Sequence, residues 1–241
     1  MSKQIELVIT RTFDAPRELV FKAFTQSEHL QHWWGPKGFT MNVAKLDLRP
    51  GGIFQYSMRS PEGHEMWGKF VYREIAEPEK LVYVSSFSDA EGNTVRAPFS
   101  SISSTWPLEV LNMLTFTEHE GKTTLTMRGG PINATEEEIK TFESMLESMQ
   151  QGFAGTFDQL ADYLAMVIDS YANNKSRKGG ITMIEDTQEV FEQQRQDLLK
   201  YNDQLSKSMR PDEAEMKGHH LAATVDEKFD IQKGDFDSGS Y

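Results

Sequence analysis

The stretch TEEEIKTFESMLESMQQGFAGTFDQLADYLAMV, Thr135 to Val167, decides the fold. Thr135 with Glu138 three residues on is a capping-box signature, in which each side chain satisfies a backbone N–H that the helix start leaves open. Phe142, Leu146, Met149, Phe153, Phe157, Leu160, Leu164 and Val167 then recur at steps of three or four. The spacing predicts one continuous amphipathic helix of about seven turns. Gly152 and Gly155 lie inside it. Glycine costs about 1 kcal/mol against alanine in a helix interior, so a close approach of a strand, side chain or ligand is expected there.

Upstream, the period changes from helix to strand. Ile5 to Phe13 is β-rich and mostly alternating and reads as a first strand. Asp14 is placed to cap the next helix and Pro16 fits its first turn; Leu19, Val20, Ala23 and Phe24 give it an apolar face. Ser27 is placed to cap a second short helix carrying Leu30, Trp33 and Trp34, which Gly35-Pro36 ends. Strands follow over 39–48, 53–58, 66–75, 81–87, 110–117 and 123–127, divided by turns at Arg49-Pro-Gly-Gly52, Pro61-Glu-Gly63, Glu77-Pro-Glu79 and Glu118-His-Glu-Gly121. The Ser/Pro-rich segment 88–107 reads as a long loop, and Arg128-Gly-Gly-Pro131 as a second rim segment.

A run of antiparallel strands with helices at its ends is an α+β layer architecture. One helix cannot cover a flat sheet of six to seven strands. A sheet curved around it can be covered, and leaves a cavity between the two, with the short helices closing one end.

Composition narrows the function. The 241 residues carry a net charge of −12. Such a chain repels phosphate backbones, so no nucleic-acid partner is expected; Lys175-Ser-Arg177-Lys178 is a short basic run in a linker. There is no cysteine, which removes disulfides and thiolate metal sites. Twelve methionines and fifteen phenylalanines suit a core or an adaptable pocket. Met1 to Glu6 has no apolar leader core, and no apolar run approaches the roughly 20 residues of a membrane span. A cytoplasmic protein with no membrane span is the expectation.

Residues 171–180 read as a linker ending the domain at about residue 170. In the polar tail, 171–241, Ile184, Phe191, Leu198 and Leu205 recur every seven residues, with Tyr201 the sole apolar companion beside Thr187 and Gln194. This predicts one helix at about 183–208 with a narrow seam for a protein partner or a second copy. Beyond Met209 the sequence reads as disordered.

Three motifs carry a family resemblance: Thr12-Phe-Asp-Ala-Pro16 with Val20-Phe21, His32-Trp-Trp-Gly-Pro36, and Asp47-Leu-Arg-Pro-Gly-Gly52. Leu160-Ala-Asp-Tyr-Leu164 matches the family's close. In this order, residues 5 to about 167 resemble the SRPBCC (START-like) superfamily, and within it the Aha-type family, named for a co-chaperone that activates the ATPase of the 90-kDa heat-shock protein. The resemblance implies the helix-grip fold and a hydrophobic pocket between sheet and long helix. It also suggests a stress-response setting. It leaves chemistry open, because the superfamily spans ligand binders, cyclases, hydroxylase domains and co-chaperones.

Candidate pocket residues are Trp33, Trp34, Phe54, Tyr56, Met66, Phe70, Tyr83, Met113, Met149, Phe153 and Phe157, joined by Tyr72, Phe87 and Phe116. The adjacent tryptophans cannot both face the core, so one packs and the other lines or caps the pocket. Asp47 and Arg49 read as a structural pair at the turn. His29 and His32 with Glu28 share a helix but fall short of the three or four ligands zinc needs, and His219-His220 lies in the tail, so no metal and no cofactor are expected. Nucleophile elbow, phosphate loop and dinucleotide fingerprint are absent. Acid–base catalysis would need a pocket carboxylate or histidine, with Glu65, Glu109 and His64 nearest the rims. The leading expectation is binding of a small hydrophobic or amphipathic molecule. A co-chaperone-like interaction module and a cyclase- or hydrolase-type enzyme are the alternatives.

Overall fold

The computed structural model describes residues 5–99 and 101–177. The elements run β1 (Leu7–Phe13), α1 (Arg17–Thr25), α2 (Ser27–Trp33), β2 (Thr40–Leu46), β3 (Ile53–Arg59), β4 (Glu65–Ala76), β5 (Lys80–Ser88), β6 (Val110–His119), β7 (Lys122–Pro131), α3 (Glu136–Ser144) and α4 (Leu146–Arg177). The seven strands form one antiparallel sheet in the order β1-β7-β6-β5-β4-β3-β2. Register shifts at Val43/Lys45 and Tyr72/Glu74 bend it, since a bulge adds curvature and twist. This is an α+β helix-grip architecture, with two short helices after the first strand and a long helix last. Among the described residues no helix is long and apolar enough to cross a membrane.

Strand alternation builds the concave face. Leu7 and Phe13 of β1, Phe54 and Tyr56 of β3, Phe70 and Tyr72 of β4, Leu81 and Tyr83 of β5, Leu114 and Phe116 of β6, and Leu125 and Met127 of β7 point toward the helices. The long helix returns Phe157, Leu160, Leu164 and Val167. Gly35, with φ +115°, ends the α2 segment where a Cβ would stand 2.8 Å from Met58 Sδ. Its carbonyl accepts hydrogen bonds from Gln159 Nε2 at 2.8 Å and Thr156 Oγ1 at 3.3 Å, which fastens this corner to α4.

Several local expectations are corrected. The capping box at Thr135 is present, but the helix it opens stops at Ser144; Met145, with φ −97° and ψ −2°, separates α3 from α4. The stripe therefore continues across a break. Helix α4 runs on to Arg177, past residue 170 where the sequence reads as linker. Gly152 and Gly155 are exposed, and a Cβ on either would meet nothing within 4 Å, so no close approach offsets their helical cost. Asp14 does not cap α1: Pro16 holds the cap position, Asp14 pairs with Lys122 at 3.3 Å, and Glu118 of β6 accepts the Arg17 N–H at 2.7 Å. Ser27 lies inside α2 behind the cap residue Gln26 and bonds Glu28. Strand β7 continues through Gly129-Gly130 to Pro131, where a rim was expected. The tail seam, Ile184 to Leu205, and His219-His220 lie outside the described residues.

Candidate functional site

The space between sheet and helices divides in two. At the end closed by α1 and α2, Phe24 meets Trp33, Phe116 and Phe157 with ring centroids 4.7, 5.5 and 6.4 Å away, and Phe13 meets Phe157 at 6.1 Å. All five rings are buried, so this end is sealed. One helical turn earlier, Phe153 borders a cavity of about 200 Å3. Its walls are Leu7, Tyr56, Met58, Met66, Trp67, Gly68, Ser85, Ser86, Phe87, Val110, Asn112 and Gly129 on the sheet side, Phe142, Met149 and Phe153 on α3 and α4, and Trp106 and Pro107 on the loop that follows β5. The lining residues include no carboxylate, imidazole or cation.

Of the residues expected at a pocket, Tyr56, Met66, Met149 and Phe153 meet here, with Phe87. Trp33 is fully buried and its indole N–H donates to the Ala23 carbonyl at 3.0 Å. Trp34 stands behind the wall, edge-on to Phe70 at 5.4 Å and Tyr56 at 6.3 Å, so neither tryptophan borders the cavity. Phe54, Phe70, Tyr72 and Tyr83 are core, with Phe70 stacked on Tyr83 at 4.1 Å. Phe116 and Phe157 belong to the sealed end. Met113 is corrected to the convex face: it sits between the inward residues Asn112 and Leu114, and alternation sends it outward.

Part of the polar wall, Asn112 and Ser85, comes from residues that sequence reasoning missed; Tyr56 was among those expected. Asn112 of β6 is buried and donates from Nδ2 to Ser85 Oγ at 2.9 Å and to the Val110 carbonyl at 3.0 Å. It pairs across the ladder with Gly129, where a Cβ would stand 2.8 Å from Asn112 Oδ1. Tyr56 pairs with Gly68 in the same way; a Cβ there would stand 2.6 Å from the Tyr56 hydroxyl oxygen. Two strand glycines thus let two polar side chains lie flat along the concave face. Burial pushes the Tyr56 hydroxyl up to about 12, partly opposed by the nearby Trp34 N–H, so it stays protonated at neutral pH. That indole N–H does not reach hydrogen-bond geometry with any described residue. The legible signal was Asn112 itself, a polar residue in the inward series Val110, Asn112, Leu114, Phe116.

The rim is fastened by ion pairing. Arg96 donates to Glu138 Oε1 at 2.6 Å and to the Trp106 carbonyl at 3.1 Å. Glu138 also accepts the Thr135 N–H at 2.8 Å, so the capping carboxylate of α3 holds the loop that carries Trp106. The Arg96 guanidinium and the Thr135 N–H hold the Glu138 carboxyl below the usual range. Trp106 in turn lies on Phe142 at 5.6 Å.

The other titratable residues lie elsewhere. His29 Nδ1 hydrogen-bonds the Tyr163 hydroxyl at 2.6 Å, and His32 stacks on the Tyr163 ring at 5.3 Å, which packs α2 on α4. Burial lowers both imidazoles, His29 to about 4. No group of three or more His, Asp or Glu side chains converges among the described residues. Glu65 faces Arg59 at 3.7 Å and Glu109 accepts from Asn133 at 3.1 Å; neither borders the cavity, and nor does His64. Arg49 Nε meets Asp47 at 3.0 Å as a turn pair.

Residues 14–165 match the model of the family described as activator of Hsp90 ATPase homolog 1-like protein. The chain belongs to this family. A crystal structure of a Mycobacterium smegmatis protein is 27% identical, with a TM-score of 0.54, covering 67% of this chain and 91% of that one. A solution structure from Staphylococcus epidermidis is 25% identical, with a TM-score of 0.56 and coverages of 69% and 93%. A Nitrosomonas europaea protein, 22% identical at a TM-score of 0.55 with coverages of 70% and 99%, shares the fold. Each of these structures is covered over nine-tenths or more of its own length by about two-thirds of this chain. No curated protein matches the chain.

Proposed function

We propose that the domain reversibly binds one small hydrophobic or amphipathic molecule in the cavity between the sheet and the α3–α4 pair. The observation that carries this reading is the division of the interior: one end is filled by packed aromatic rings, while the other keeps about 200 Å3 beside Phe153. Roughly 150 Å3 of apolar space suffices for benzene, so one or two fused rings fit. Affinity comes from apolar surface removed from water, at about 25 cal/mol per Å2. Binding is favoured over acid–base catalysis because the lining offers neither carboxylate nor imidazole. Gentle ionisation of the purified chain by native mass spectrometry, followed by solvent extraction, tests the reading. A discrete co-purifying mass that leaves with solvent supports it; a chain that takes up no small aromatic compound at any concentration contradicts it.

A protein-interaction role is the second reading, favoured by the family's co-chaperone name and by Val8 and Leu111, which stand exposed on the convex face. Comparing partners of the full chain with a form ending at residue 177 separates tail-borne contacts from this face.

A further inference from the structure

We infer that the cavity selects a neutral, flat, one- or two-ring molecule bearing a hydrogen-bond donor, such as a phenolic hydroxyl, and that Asn112 Oδ1 is the group that reads it. This rests on the cavity being a ligand site. Asn112 is polar yet only 7% exposed. Its amide orientation is fixed by its partners. The Val110 carbonyl can only accept, so the atom 3.0 Å from it is the amide nitrogen, and Ser85 Oγ takes the other proton. The oxygen is thereby turned toward Gly129, whose missing Cβ leaves it uncovered on the cavity wall. Among the described residues nothing donates to Oδ1.

An acceptor that no described residue serves, set in a largely apolar wall, discriminates between guests. A ligand donor aligned with Oδ1 gains a net hydrogen bond that an apolar edge does not. Charge is disfavoured in either sign: the lining offers no cation for a carboxylate and no carboxylate for an ammonium. The volume of about 200 Å3 accommodates one or two rings. What remains is a neutral aromatic molecule with an O–H or N–H at its edge.

The test titrates the full chain with 2-naphthol, naphthalene and 2-naphthoate by calorimetry. We expect 2-naphthol to bind about tenfold more tightly than naphthalene, the worth of one net hydrogen bond, and 2-naphthoate to bind most weakly. Asn112→Leu should abolish the preference for 2-naphthol over naphthalene, whatever it does to the naphthalene affinity itself. Ser85→Ala, a milder change that unlocks the amide, should reduce the 2-naphthol preference by a few-fold, so the test stands even if the leucine variant fails to fold. Equal affinities for 2-naphthol and naphthalene in the unaltered chain overturn the donor-reading role and leave the apolar cavity in place. Naphthoate binding as tightly as naphthol overturns the neutral class. Binding of none of the three removes the cavity reading as well.

Discussion

Arg96 and Glu138, 42 residues apart in sequence, meet at 2.6 Å, and through them the cap of α3 holds the loop that closes the cavity. Glu138 is almost buried, whereas Arg96 is about half exposed. The carboxylate does two jobs: it accepts the Thr135 N–H as half of a capping box, and it anchors the guanidinium that also grips the Trp106 carbonyl.

Glu138→Ala should therefore cost about 1–2 kcal/mol, the usual worth of a lost cap with a partner left behind. Arg96→Ala should cost less but loosen Trp106. Denaturant unfolding gives the first number, and tryptophan fluorescence quenching by acrylamide gives the second effect. The Glu138 carboxyl is held below its ordinary value in the fold, so its contribution is complete above the unfolded carboxylate pKa and fades as the pH falls below it.

His29 sets a second pH dependence. Its imidazole is driven down to about 4 chiefly by burial against α4, while an unfolded histidine titrates near 6.5. The neutral form is favoured by folding. Stability is full above pH 6.5 and falls between about 6.5 and 4, as the unfolded chain takes up the proton and the folded one does not. The loss is on the order of 2–3 kcal/mol. Unfolding free energies at pH 7.5 and 4.5 should show it, and His29→Gln should flatten that part of the profile. A profile equally steep in the variant would contradict this assignment.

Glycine-to-alanine changes should act with opposite signs at two places. At Gly155, exposed in α4 with open space around it, alanine should stabilise by about 0.5–1 kcal/mol through helix propensity alone. At Gly68 the new methyl would press on the Tyr56 ring, with Cζ at 2.7 Å and the hydroxyl oxygen at 2.6 Å. Displacing that ring should cost about 1–3 kcal/mol, as overpacking does, and narrow the cavity. Thermal unfolding of the two variants side by side measures both.

The architecture was legible because its signals are periodic. The step-three-and-four stripe ending at Val167 and the alternating runs upstream specify a helix and strands, and both motif order and layer order point to a curved sheet gripping a helix. The site was legible only in part, for physical reasons. Alternation says that half of each strand faces inward but not which half; Met113 faces outward, and its neighbours Asn112 and Leu114 occupy the concave face. Large aromatic residues fill space as readily as they border it: Phe157 and Phe153 have the same spacing signature, yet one is locked among rings and the other borders open volume. Ser85, Asn112 and the glycines beneath the polar tips act through cross-strand pairs, Asn112 with Gly129 and Tyr56 with Gly68, which exist only once register is set. Helix breaks carry weak local signals too, since Met145, where the chain breaks between α3 and α4, is an ordinary helix former.

The central claim, that the cavity beside Phe153 is where a guest sits, is tested most directly by filling it. Met149 borders the cavity from α4, and Met149→Trp adds a ring to that space at a cost of about 1–3 kcal/mol in stability. Calorimetric titration with naphthalene should show saturable one-to-one binding to the unaltered chain and none to the variant, with circular dichroism confirming that the variant is folded. Equal binding by both, or saturable binding by neither, would contradict the account.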